Sequence, residues 1–301
     1  MHSPMSHRQA VFAMIAVTLM WSIAGVVTRQ LDSARAFEVT FWRSLFNALA
    51  LGALLLAWRG PRAVVQAVTQ GGRTIWWSGL CWSVMYTAFM VAITLTTVAN
   101  VLVTMALAPL FTALGARIAL GHKLPMRTWF AIMAAGLGIA WMYAREISGG
   151  DAKHLLGTLV ALAVPLSAAA NWNLLQHSNR RGQAAPDLLP AVLIGAVLSA
   201  LYTLPLSMPF AATRADLGWL ALLGAVQLAI PCLLAVQVAK VLPGPEIALL
   251  SLLEVIFGVL WAWWGAQETP SVAVLGGGAL VLAALTFNEL LGLRRTRPAE
   301  A

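Results

Sequence analysis

Ten stretches of this chain run for about twenty residues with scarcely a charge, and that spacing leaves few ways to fold. They fall at 10–28, 37–57, 74–95, 98–119, 128–144, 155–177, 188–207, 217–239, 245–266 and 271–292. A helix needs about 20 mostly apolar residues to cross the hydrocarbon core of a bilayer. Transmembrane strands are about half as long and alternate in polarity, so a barrel is excluded. The connections are too short for a folded extramembranous domain. Only 10% of the 301 residues are charged, against about a quarter in a soluble domain, which excludes a fully soluble globule. Cys81 and Cys232 are the only cysteines, too few for a disulfide scaffold. The expectation is an all-α integral membrane protein of ten transmembrane helices.

The net charge of +8 would suggest nucleic acid in a soluble chain. In a membrane chain it follows from topology, because short cytoplasmic loops collect Lys and Arg. With the N-terminus cytoplasmic, the inner segments hold Arg8, Arg59, Arg62, Arg73, Lys123, Arg127, Arg180, Arg181, Lys240, Arg294, Arg295 and Arg297. The outer ones hold Arg29, Arg35, Arg145, Lys153 and Arg214. The expected placement is the cell inner membrane, multi-pass, with both termini cytoplasmic, the bilayer as a partner and no nucleic acid. His7, Arg8, an apolar run and Ala34-Arg35-Ala36 imitate a cleavable signal peptide, but the run exceeds the usual length of such a segment.

Ten helices divide into five and five. At an offset of 146 residues, Leu107, Phe111, Leu114 and Ala116 fall on Leu253, Phe257, Leu260 and Ala262, and Ala92-Ile93-Thr94-Leu95 falls near Ala239-Lys240-Val241-Leu242. Because five is odd, a second copy enters the membrane upside down. The expected units are a first five-helix repeat at 10–144 and a second, inverted, at 155–292. Secondary transporters are commonly built so, with the substrate near the midplane between the halves.

These residues carry a resemblance. The quoted motifs are Phe41-Trp42-Arg43, Ala92 to Asn100, Leu107-Ala108-Pro109-Leu110-Phe111-Thr112, Ser251-Leu252-Leu253-Glu254-Val255-Ile256-Phe257, Gly136-Leu137-Gly138-Ile139 and Gly276-Gly277-Gly278. In them the chain resembles the EamA-type branch of the drug/metabolite transporter superfamily. It departs in having Gly121-His122 where Gly-Glu is usual, the second half keeping the acid as Glu268, and Val255 where Pro often follows the glutamate. The resemblance implies export or uptake of small metabolites, amino acids prominent among them, by alternating access.

Ionisable groups at membrane depth are functional candidates, since each costs about 2.5–3.5 kcal/mol at a helix centre even on the lenient scale. Two qualify. Glu254 lies near the middle of stretch nine, with Ser251 and Gly258 on its face, and Arg43 lies in the outer third of stretch two with Thr40 and Asn47. Counting helical rise across a core of about 30 Å leaves roughly 8 Å between them along the membrane normal. The hypothesis is one cavity holding both, either paired or gripping a zwitterion's carboxylate and ammonium. The alternatives are snorkelling of Arg43 or its pairing with Glu38, and a protonated Glu254 bonded within the bundle. Asn100 with Thr104, and Thr18, Ser22 and Gly25, read as cavity groups or as small-residue packing stripes. Trp21, Tyr86, Trp82 and Trp172 sit deep and either wall a pocket or pack. Trp58, Trp76, Trp77, Trp129, Trp219, Trp263 and Trp264 lie near helix ends, where an aromatic belt belongs. Asn171, Asn173 and His177 cluster on stretch six, and Gln227 and Gln237 on stretch eight are either cavity groups or interhelical bonds. Pro109, Pro165 and Pro231 fall inside stretches and are hinge candidates, because proline deletes a helical hydrogen bond.

The three lysines, at 123, 153 and 240, stand in no phosphate-cradling G-x-x-x-x-G-K-[ST] loop and no H-E-x-x-H motif occurs. No cofactor or metal is expected, and the cysteines read as apolar filler. The favoured function is a secondary active transporter, expected to work as an exporter, of small metabolites such as amino acids, with protons as the coupling ion to test. The competing classes are a membrane-embedded enzyme acting on lipid, which wants a carboxylate pair or a Ser/His constellation at one depth, and a non-transporting sensor. The expected substrate or cavity residues are Arg43, Asn47, Glu254, Ser251, Asn100, Tyr86 and Trp21.

Overall fold

Each apolar stretch is helical in the computed structural model, which describes residues 5–121, 125–149, 152–180, 189–238, 241–242 and 244–296. The helices are α1 (His7–Thr28, interrupted at Ile23), α2 (Ala36–Arg59), α3 (Gly72–Leu95), α4 (Val98–Met105 continued by Ala108–Leu120), α5 (Met126–Gly149), α6 (Ala152–Arg180), α7 (Leu189–Ser207), α8 (Arg214–Val238), α9 (Gly244–Ala266) and α10 (Val272–Thr296). No strand occurs among the described residues. Eight of the ten are long and apolar enough to cross a membrane; in α5 and α10 the apolar parts, Met126–Met142 and Val272–Asn288, are shorter. His122, Lys123, Asp151, Arg181, Lys240 and Arg297, which entered the charge and repeat comparisons, lie outside the described residues, as do the side chains of His177 and Arg180.

The short links leave each helix little choice of neighbour. Helix α1 packs on α8 and α9, α2 on α7 and α8, α3 on α6 and α7, α4 on α6 and α9, and α5 on α10. Exchanging every helix with the one five places along maps this set of pairs onto itself. Helices α5 and α10 cross closely, a Cβ on Gly277 lying 2.4 Å from the Gly138 carbonyl oxygen if one were added. Small residues there let two backbones touch, which in lipid replaces the missing hydrophobic drive.

Three local features depart from a simple ten-rod reading. A short amphipathic helix, Pro61–Gln70, links α2 to α3 and buries none of its residues; its arginine-bearing sequence reads as a loop because it lacks a long apolar run. Pro109 does not kink a continuous helix. Helix α4 breaks at Ala106–Leu107 and Pro109 opens its second segment, where its missing N–H costs nothing. In α8 the turn Leu222–Ala229 is a π-helix directly preceding Pro231, while Pro165 lies inside α6.

Trp58, Trp76, Trp77, Trp219, Trp263 and Trp264 are exposed near helix ends, as an aromatic belt requires. Trp172, placed deep by its sequence position, is 43% exposed and faces outward instead of walling a pocket. Lipid and core are equally apolar, so residue type alone does not separate the two faces.

Candidate functional site

Arg43 points into the bundle, 2% exposed. Its Nη2 donates to Gln227 Oε1 at 2.9 Å, and its guanidinium carbon lies 5.6 Å from the Phe89 ring centroid on α3. Neither snorkelling nor pairing with Glu38 occurs. Glu38 is turned the other way and accepts the backbone N–H groups of Ala211 and Ala212.

Gln227 is the residue that organises this centre, and it sits on the π-helix of α8. Besides accepting from Arg43, it donates through Nε2 to the Trp21 carbonyl on α1 at 3.0 Å. A π-turn shifts the phase of the helix by one residue, and such turns gather at functional sites. Counting at 3.6 residues per turn therefore misplaces every side chain beyond it. Gly224, on the same turn, brings the α8 backbone onto α2: a Cβ there would lie 2.5 Å from the Arg43 carbonyl oxygen.

Several groups around this bridge are poorly bonded. Arg43 Nε and the Trp42 indole N–H are buried without a hydrogen-bond partner, while the buried Asn47 amide and Trp21 indole N–H have only loose neighbours in the Tyr86 hydroxyl and Cys232 Sγ. Asn47 lies fully buried one turn along from Arg43, beside the Tyr86 hydroxyl. That hydroxyl lies 3.9 Å from Cys232 Sγ on α8, and the Tyr86 ring tilts against Trp82 at 5.6 Å. Glu254 on α9 completes the charge pattern. It and Arg43 act on each other electrostatically, yet no ion pair joins them, whereas His7 pairs with Glu246 and Arg29 with Glu268 elsewhere.

Arg43, Asn47, Tyr86, Trp21 and Glu254 come together from α1, α2, α3 and α9. Ser251 and Asn100 make other bonds. Ser251 Oγ donates back to the Ile247 carbonyl of its own helix. Asn100 receives the Thr97 cap at its backbone N–H and donates through Nδ2 to Thr96 Oγ1, fixing the start of α4. Thr18 and Ser22 likewise bond to their own helix, and Ser22 Oγ also accepts the Trp261 indole N–H. Asn171 accepts from Ser78, and Asn173 donates to the carbonyls of Thr112 and Ala169; both act as glue between helices. Sequence counting weighed Gln227 evenly between cavity and packing roles and gave Cys232 only a filler role. A glutamine amid an apolar run was the available signal, but not its direction. Among the described residues no group of three His, Cys, Asp or Glu side chains is arranged to hold a metal ion.

A sequence model of the EamA-like transporter family matches residues 8–144. A solved structure titled "Crystal structure of protein" is similar at a TM-score of 0.64 and 19% sequence identity, over 96% of this chain and 100% of that one. No curated protein matches the chain.

Proposed function

We propose, from the match of residues 8–144 to the EamA-like transporter family, that this protein is a secondary active transporter that exports small metabolites such as amino acids by alternating access. The observation that carries the reading is the chamber around Arg43. A buried cation with an unbonded Nε stands with an amide and an indole N–H that have only the Tyr86 hydroxyl and Cys232 Sγ as loose neighbours, and the cation acts electrostatically on Glu254 without an ion pair. Buried polar groups normally find partners. A group left open in the interior costs about 1–3 kcal/mol, and a ligand that supplies the missing partners returns that cost as affinity. A carboxylate fits the donors of Arg43, Trp21 and Asn47. An ammonium on the same molecule fits Glu254.

Two inverted repeats, 10–144 and 155–292, supply the alternation. The helix pairs map onto themselves when α1–α5 exchange with α6–α10. Tyr86 and Cys232, which touch, are separated by 146 residues, the offset of the sequence repeat. Gly121 and Gln267, at that same offset, both take a left-handed backbone just after their helices. These features support equivalent positions facing each other across an axis through the chamber. The interruptions at Pro109 and Pro231, with Pro165 in α6, are where the helices would bend. In this reading the lysine- and arginine-rich face is cytoplasmic, both termini lie there, and the protein works in the inner membrane without enzymatic chemistry.

The test is counterflow of radiolabelled metabolites in liposomes holding the purified protein. Accumulation of labelled amino acid against an unlabelled internal pool is expected; absence of counterflow across a broad metabolite panel overturns the reading. Glu254 is the proposed proton carrier. A proton gradient should drive transport in the parent but not in Glu254→Gln, whose counterflow should persist at weaker apparent affinity because the amide offers the ammonium only a neutral acceptor; equal responses to the gradient would remove the proton from the cycle.

A further inference from the structure

The end of the bundle remote from the N-terminus carries a second charged assembly. Arg29 closes α1 and Glu268 follows α9. Arg29 Nε donates to Glu268 Oε2 at 3.1 Å, Nη1 to the Ile93 carbonyl at 2.9 Å and Nη2 to the Thr96 carbonyl at 3.0 Å. Glu268 Oε1 accepts the Val98 N–H at 2.7 Å, at the N-terminus of α4, where a negative charge is favoured. The left-handed backbone of Gln267, φ 53°, and the bond from Glu268 N to the Ala262 carbonyl aim that carboxylate. One ion pair thereby ties together α1, the α3–α4 turn and α9.

Its position gives it a use. On one side lies an open cleft of ≈ 430 Å³, bordered by Thr94, Thr97, Lys153 and His154 as well as by the pair itself. Beside it on the same helices, Val27, Ile93, Val98 and Leu102 belong to one buried apolar cluster. Phe89, against which Arg43 rests, is one turn below Ile93 on α3. A solute passing between cleft and chamber must separate the helices that Arg29 and Glu268 join.

We propose that Arg29 and Glu268 form a latch that holds this end of the pathway shut, and that opening requires the pair and its backbone bonds to α3 and α4 to part. The latch rests on the transport reading for its purpose but is tested without substrate. Ala99, buried just beneath it, is replaced by cysteine in the full chain, which is placed in lipid nanodiscs so that both faces meet a charged maleimide. Site-resolved alkylation is followed by mass spectrometry. Glu268→Gln and Arg29→Gln should each speed alkylation of Ala99→Cys by about tenfold, the scale of losing a charged hydrogen bond. The double variant should react no faster than the quicker single one, because both break one device. Unchanged rates, or effects that multiply, overturn the latch. If Glu268→Gln does not fold, Arg29→Lys carries the test: it keeps the charge but loses the fork that reaches two carbonyls, and it too should react faster. A protein that moves substrate with unaltered alkylation loses only the latch. One that alkylates faster but moves nothing loses only the transport reading.

Discussion

The buried polar groups at the remote end of the bundle and those at its centre are bonded to very different degrees. At the remote end, Glu38 accepts from the N–H groups of Ala211 and Ala212, and Asp216 accepts from those of Asp32, Ser33 and Thr213. Glu268 is held by Arg29 and Val98. These acids sew loops to helix ends, and little of their bonding capacity is left over. At the centre, Arg43 makes one side-chain hydrogen bond and leaves Nε open, and the Asn47 amide has only the Tyr86 hydroxyl as a loose neighbour. A polar group that a fold uses for its own cohesion is saturated. One that it leaves open at a cost is kept for something that arrives later.

The comparison breaks most visibly at Arg43. Arg43→Leu should lower counterflow about a hundredfold or more, the usual size of removing one member of a buried charged contact. The unfolding temperature in detergent should hold or rise, because a poorly bonded buried cation stabilises little. A matching fall in stability would make Arg43 structural. Glu38→Ala should do the reverse. It strands two backbone donors and should cost about 2–3 kcal/mol of stability, read as a lowered unfolding midpoint, with half-saturation of transport unchanged. Asn47→Leu sharpens the contrast, with apparent affinity about tenfold weaker and a stable fold. Trp172→Leu, on the outward face, should change stability by no more than about 0.5 kcal/mol and transport not at all.

How much of this was legible in sequence follows from the same physics. Helices show because a bilayer demands a fixed apolar length, and each of the ten stretches became one. Arg43 and Glu254 showed because a charge in an apolar run stands out. Their relation did not: depth alone allowed an ion pair, and the π-turn that turns Gln227 toward Arg43 leaves no mark in residue spacing. Asn100 reads as a cavity or packing group because spacing, which already starts stretch four at 98, does not show that its amide turns back to bond Thr96. Trp21 and Trp172 have the same side chain in similar apolar settings, and only packing separates the half-buried one from the exposed one. The amphipathic helix Pro61–Gln70 was hidden by its arginine and its length.

Cys232 offers the most direct test of the central claim, since it touches Tyr86 within the chamber while Cys81 lies half-buried elsewhere on α3. Alkylation of both thiols by N-ethylmaleimide is followed by mass spectrometry on the parent protein in nanodiscs, with and without the standard amino acids. The account predicts that a transported amino acid slows reaction at Cys232 and leaves Cys81 unaltered. Equal rates at Cys232 with and without an amino acid that shows counterflow would contradict it.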